Sequence, residues 1–221
     1  MTNQIKKALV VGATGLVGNE LLRQLSADDF FDEITVLTRR SLKTFNAHKK
    51  IEVKCISNFM DLTEIDFSEF ASVFSCLGTT IKKAGSKQAF YDIDYGINLN
   101  LAEAIKQSKA NIHFVLVSAI GADPNSSFFY NRVKGQLERD VQSLELYKTS
   151  IIRPSLLVGQ REETRKAEDL AKKIYSGISQ FIPKRFKYKP VTAKQVAHTM
   201  VEISKYQTEK FRIYDNLEIQ K

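Results

Sequence analysis

Apolar positions along the chain follow two rhythms. Short, nearly continuous apolar runs recur at Ile5–Val11, Ile34–Thr38, Ile51–Ile56, Ala71–Leu77, Ile112–Val117, Ser150–Ile152 and Phe211–Tyr214. Each reads as a strand covered on both faces. Between them the apolar residues take helical spacing. Leu16–Ser26 carries them at 16, 17, 21, 22 and 25, and Leu62–Phe70 at 62, 65, 67 and 70. Lys87–Ser108 reads as one long helix bearing Phe90, Ile93, Ile97, Leu101 and Ile105, and Ser127–Leu146 as another. After Pro154 the regularity weakens, leaving a helix at about 166–178, a basic loop and a helix near Thr192–Lys205. Strands that alternate with helices require crossover connections, which predicts an α/β chain built on a doubly wound, mostly parallel sheet, with a small irregular C-terminal region.

Composition narrows the classes. The 221 residues are 43% hydrophobic, which suits a packed core and excludes disorder. No apolar run approaches the roughly 20 residues of a membrane span, so no membrane is expected. Met1–Lys7 leads straight into a strand-like run without a signal-peptide pattern, so the default location is cytoplasmic. The net charge is +8, and it is uneven: residues 1–110 hold 14 basic and 13 acidic side chains, whereas 161–189 alone holds nine and four. Such a surplus fits nucleic acid, a membrane surface or an anionic small molecule. Cys55 and Cys76 lie in apolar stretches without ligand spacing and read as small buried thiols in strands, not as a disulfide or metal site. His48, His113 and His198 are isolated, and His113 reads as a packed core residue.

The first strand ends in Gly12-Ala13-Thr14-Gly15-Leu16-Val17-Gly18, with a helix following. Glycines at this spacing permit a tight turn, close approach of the backbone to a pyrophosphate and close helix–strand packing. The helix N-terminus then offers free N–H groups to phosphate. A nicotinamide dinucleotide is the expected ligand. The second strand ends in Arg39-Arg40, with no acid at its tip to bind a ribose 2′-hydroxyl, and Asp32 and Glu33 lie at its other end. Two guanidiniums suit a 2′-phosphate, so NADP(H) is preferred over NAD(H).

A second constellation follows the fifth strand. Ser118 sits at its end, and Tyr130-Asn131-Arg132-Val133-Lys134 places Tyr130 and Lys134 four residues apart on one helix face. A tyrosine titrates near 10, too high for acid–base work at neutral pH, and a neighbouring ammonium favours its phenolate. The lysine can also hold the nicotinamide ribose. A serine at a strand's carboxyl end can hydrogen-bond a reacting carbonyl. Ser118, Tyr130 and Lys134 are therefore the candidate catalytic residues.

These stretches resemble the short-chain dehydrogenase/reductase superfamily in its atypical branch, and more closely the Tat-interacting-protein-like oxidoreductases. The likeness is carried by VGATGLVG at 11–18, LTRR at 37–40, CLGTTIKKAG at 76–85, VSAIGAD at 117–123, FYNRVKGQLE at 129–138 and IRPSLLVG at 152–159. It implies a Rossmann fold. It also implies that Thr14, Leu16 and Val17 add backbone contacts to the pyrophosphate loop of Gly12, Gly15 and Gly18. Asn58-Phe59 would stand where an Asp-Leu pair usually contacts adenine, and Leu77-Gly78-Thr79 would line the adenosine ribose. Pro154, Ser155, Leu156 and Leu157 would bring backbone groups to the nicotinamide carboxamide. The superfamily has an asparagine on its long helix where this chain has Ile93-Asp94, and Asp94 reads as a cap-side or surface acid.

The expected function is an NADP(H)-dependent oxidoreductase acting on a small carbonyl or alcohol. The excess positive charge fits an anionic substrate. The second reading is a non-catalytic NADPH-binding regulator that works through a protein partner. A nucleic-acid-binding domain using Lys184–Lys189 ranks below both, because the same stretch reads more simply as a solvated loop beside the substrate cleft. The chain is read as one domain over 1–221, a cofactor-binding framework over 1–160 with a substrate-side elaboration over 161–221, either monomeric or homodimeric.

Overall fold

A computed structural model describes residues 5–40, 48–158 and 186–220. The helix expected at 166–178, most of the basic 161–189 stretch and its Lys184 and Arg185 lie outside those residues.

Seven strands form one parallel sheet: β1 (Lys7–Val11), β2 (Glu33–Thr38), β3 (Ile51–Cys55), β4 (Phe70–Ser75), β5 (His113–Val117), β6 (Lys148–Ile152) and β9 (Phe211–Tyr214), in the order β3-β2-β1-β4-β5-β6-β9. Two short strands, β7 (Leu157–Val158) and β8 (Val191–Thr192), pair in parallel as a separate ladder. The central strands are apolar on both faces because each face meets a helical layer. On one face α1 (Leu16–Ala27) and α6 (Ala193–Tyr206) pack against each other, burying Leu21, Leu22, Leu25, Val196 and Met200. On the other, α4 (Asn98–Ser108) and α5 (Phe129–Ser143) bury Leu101, Ile105, Leu137 and Val141 against Leu9, Phe114 and Leu116. This is the doubly wound α/β arrangement expected from the alternation. Residues 193–214 supply the edge strand and the helix that covers α1.

Three expectations are corrected. Leu62–Phe70 is not a helix: only Phe67–Glu69 makes a single 3₁₀ turn. Its apolar residues Leu62, Ile65, Phe67 and Phe70 are buried as expected. However, Asp61 and Asp66 bond backbone N–H groups two residues on, which favours turns over helix. Lys87–Ser108 is helical but interrupted: α3 (Lys87–Tyr91) and α4 are joined by a π-turn over Asp92–Ile97. A short helix, α2 (Ile81–Ala84), precedes it. Finally, Cys55 is exposed, because β3 is the outer strand of the sheet and covers only one face. Cys76 follows β4 with its sulfur 3.9 Å from that of Met200, and burial pushes its thiol up to about 12.

His113 is a core residue, as read from sequence: it is 4% exposed and its Nε2 lies 2.7 Å from the Ser150 hydroxyl. That hydroxyl also donates to Gln207, whose Oε1 accepts from Tyr214. The last helix, α7 (Asn216–Ile219), is fastened by a capping box between Asp215 and Glu218.

Candidate active site

In an open parallel sheet the ligand crevice lies beyond the carboxyl ends of the strands, where the strand order reverses. Here that point lies between β1 and β4, and the Gly12–Gly18 loop occupies it. Gly12 has φ of +82°, and a Cβ there would lie 2.6 Å from the Cys76 carbonyl carbon. A Cβ on Gly18 would lie 2.2 Å from the Gly12 oxygen. Both positions therefore require glycine, one for handedness and the other for closeness. Gly15 caps α1 without a side-chain hydrogen bond, and the first turn holds no acid. The N–H groups of Leu16 and Val17 thus stand at a helix start with its positive dipole end uncompensated, which fits the phosphates of a dinucleotide. Thr14 is exposed on the loop.

Around the loop, Arg39 and Arg40 are exposed at the carboxyl tip of β2, in a turn closed by Thr38 Oγ1, which accepts from the Arg40 N–H at 3.3 Å. Glu33 lies at the opposite end of β2 and pairs with Lys7. Asn58 is exposed and its side chain accepts from the Met60 N–H. Phe59, by contrast, is 6% exposed and committed to the core, so only Asn58 of this pair faces outward. Leu77-Gly78-Thr79 follows β4 on the same side of the sheet.

Ser118 stands one residue beyond β5, held by its N–H to the Ile152 carbonyl. Its hydroxyl is buried and has no hydrogen-bond partner among the described residues. A buried hydroxyl ordinarily has one, so this group is available to a ligand atom. Tyr130 is half-buried in the first turn of α5, its ring 5.4 Å from the buried Phe90 ring. Lys134, one turn on, is 3% exposed. Its Nζ lies 2.7 Å from Asp94 Oδ1. Asp94 itself is fully buried, which overturns its reading as a surface acid: the Thr79 N–H bonds one carboxylate oxygen, and the Lys134 ammonium supplies the counter-charge to the other.

Pro154–Leu157 closes the site. The Ile120 N–H donates to the Pro154 carbonyl, tying this segment to the Ser118 loop. The Ser155 N–H donates to Asn216 Oδ1, and Asn216 Nδ2 donates to the carbonyls of Lys187 and Lys189. Leu156 is exposed, and Leu157 enters β7. Arg153 makes a forked ion pair with the buried Glu138, one turn beyond Lys134 on α5. Glu138 and Arg153 fall inside the FYNRVKGQLE and IRPSLLVG stretches, but nothing in either stretch discloses that they pair, and Asn216 lies outside every motif.

Gly12–Gly18, Arg39–Arg40, Leu77–Thr79, Ser118 and Pro154–Leu157 all follow the carboxyl ends of strands, and α5 is packed beside them with Tyr130 and Lys134. Among the described residues no cluster of metal-ligating side chains occurs, and no helix is long and apolar enough to cross a membrane. A groove of about 580 Å³ between α6, β9 and α7, lined by Lys194, His198 and Arg212, shares no residue with this site.

Sheet order and helical layers together define a Rossmann-type, doubly wound α/β protein. The HIM1 family model matches residues 32–192, and the chain belongs to that family. It is 36% identical over 208 residues to "Protein FMP52-1, mitochondrial" of Scheffersomyces stipitis, covering 92% of this chain and 90% of that one. It is 35% identical over 182 residues to "Protein HTATIP2" of Rattus norvegicus, covering 79% and 72%. Among solved structures it is similar to the Bordetella bronchiseptica enzyme WbmG in complex with NAD, at TM-score 0.69 and 12% identity, covering 96% of this chain and 72% of that one. That likeness shows the fold. The expectation of a cytoplasmic location is overturned, because the fungal relatives are named as mitochondrial proteins.

Proposed function

We propose that this chain is an NADP(H)-dependent oxidoreductase that moves a hydride to or from a small carbonyl or alcohol. The observation that carries the reading is the buried, unpartnered Ser118 hydroxyl, set on a strand end beside the helix of Tyr130 and Lys134. Bound NADP(H) would supply the hydride. The chain's own residues do the rest. Ser118 donates to the substrate carbonyl oxygen, where negative charge grows during reduction. The Tyr130 phenol gives that oxygen its proton, and Lys134, one turn on along the same helix, holds the nicotinamide ribose.

For binding, the N–H groups at Leu16 and Val17 take the pyrophosphate, and Arg39 and Arg40 take the 2′-phosphate. Asn58 faces the adenine, Leu77–Thr79 the adenosine ribose, and backbone groups of Pro154–Leu157 the carboxamide. The basic surplus in 161–189 supports an anionic substrate. The domain is taken as 1–221, with the framework over 1–160. The names of the fungal relatives support mitochondrial residence. The test is oxidation of NADPH across a panel of small aldehydes, ketones and keto acids, followed by Tyr130→Phe on the best substrate. A loss of about 100-fold or more is expected. Unchanged turnover refutes the assignment.

A further inference from the structure

Asp94 lies within the π-turn, 0% exposed, and a hydrogen-bond donor and an ion-pair partner from distant parts of the chain converge on its carboxylate. Oδ2 accepts from the Thr79 N–H at 2.8 Å, and Oδ1 lies 2.7 Å from Lys134 Nζ. The pair sits under the exposed backbone of Gly78: a Cβ there would lie 3.5 Å from Asp94 Oδ1 and 3.7 Å from Lys134 Nζ. The turn that carries Asp94 is itself fixed. Asn98 Nδ2 donates to the Asp94 carbonyl at 2.9 Å, and Asn98 Oδ1 accepts from the Ser75 hydroxyl at the end of β4.

The chemistry of this position demands a carboxylate. One oxygen must accept from the Thr79 N–H while the other carries charge to the Lys134 ammonium, and a carboxamide has one oxygen and no charge. An asparagine here would turn its NH₂ toward either the Thr79 N–H or the Lys134 ammonium. A buried ion pair is also a poor source of stability, because desolvation offsets the attraction, so its presence points to a role in fixing geometry. The two partners belong to different halves of the site. Thr79 is in the segment assigned to the adenosine ribose, and Lys134 is the group assigned to Tyr130 and the nicotinamide ribose.

We infer that Asp94 is a positioning residue whose carboxylate couples the adenosine seat at Thr79 to the Lys134 ammonium, so that the two halves of the cofactor bind cooperatively. This rests on the oxidoreductase reading. The test compares the affinities of the 221-residue chain for NADPH and for 2′,5′-ADP, which lacks the nicotinamide, its ribose and their phosphate. The ratio of the two is the gain from the second half.

In Asp94→Asn the gain is expected to fall about tenfold, within the usual range of coupling between sites, with 2′,5′-ADP binding nearly unchanged. An unchanged gain, or an equal fall for both ligands, overturns the coupling. Asp94→Asn leaves an ammonium buried without its counter-charge, so a Lys134→Met background is the second arm. There Asp94→Asn is expected to leave the gain where Lys134→Met has put it. A further fall means that Asp94 acts other than through Lys134 and overturns the inference. If the wild type binds neither ligand, the oxidoreductase reading itself fails. If it binds both and the variants change nothing, only the coupling fails.

Discussion

Replacing Gly135 with alanine tests whether α5, the helix of Tyr130 and Lys134, is seated as described. A Cβ at Gly135 would lie 2.2 Å from both the Asp123 carbonyl carbon and the Pro124 nitrogen. Both are backbone atoms, so no side chain can swing aside. Relief requires α5 and the turn after β5 to separate by about an ångström. Overpacking of this kind costs about 1–3 kcal/mol, and a backbone clash belongs at the upper end. Alanine in place of glycine within a helix returns about 1 kcal/mol. The net loss is about 2 kcal/mol, a fall in Tm of about 4–8 °C for a chain of this size.

Gly96 is the matched control. It also lies in a helical segment, but a Cβ there meets nothing within 4 Å, so Gly96→Ala is expected to be neutral or slightly stabilising. Thermal unfolding followed by circular dichroism reads both. Catalysis is more sensitive still, because a displacement of about 1 Å can cost about 100-fold in rate. If Gly135→Ala is as stable as wild type, the packing of α5 on Asp123–Pro124 is wrong.

Three further outcomes follow from particular contacts. Burial, helped by the charge of Lys148, lowers His113 from its ordinary 6.5 to about 4. The unfolded chain therefore binds a proton that the folded chain refuses, and stability declines as pH falls from about 6.5 to about 4, by about 3 kcal/mol in all. Urea unfolding at several pH values checks this, and His113→Gln should flatten that part of the curve. Asn216→Ala removes one acceptor and two donor contacts from buried backbone groups beside Ser155 and is expected to cost about 2–3 kcal/mol. It should also weaken NADPH binding more than 2′,5′-ADP binding, as read by calorimetry. Arg39→Ala combined with Arg40→Ala should cut the preference for NADPH over NADH at least about tenfold, given about 1.5–3 kcal/mol per charged hydrogen bond. NADH binding should change little.

The parallel sheet and the glycine turn were legible because each rests on local rhythm or short spacing. Phe90, Ile93, Ile97, Leu101 and Ile105 disclosed a long helical segment, but not its π-turn. That turn depends on Asn98 reaching back to Asp94 and across to Ser75, contacts that apolar periodicity does not record. Asp94 looked like a surface acid because its partner, Lys134, is 40 residues away in sequence and its other donor is a backbone N–H. Leu62–Phe70 shows that apolar spacing predicts burial more reliably than conformation, since those side chains reach the core from turns. Asn216 and the Glu138–Arg153 pair were invisible for the same reason as Asp94: their roles exist only once distant segments meet.

The proposed ligand is a nicotinamide dinucleotide on the Gly12–Gly18 loop, with its 2′-phosphate on Arg39 and Arg40. The dissociation constants of the purified chain for NADPH and NADH test it most directly. Binding of both, with NADPH the tighter, is the predicted result. Equal affinities would contradict the role of the two arginines, and binding of neither would contradict the site as a whole.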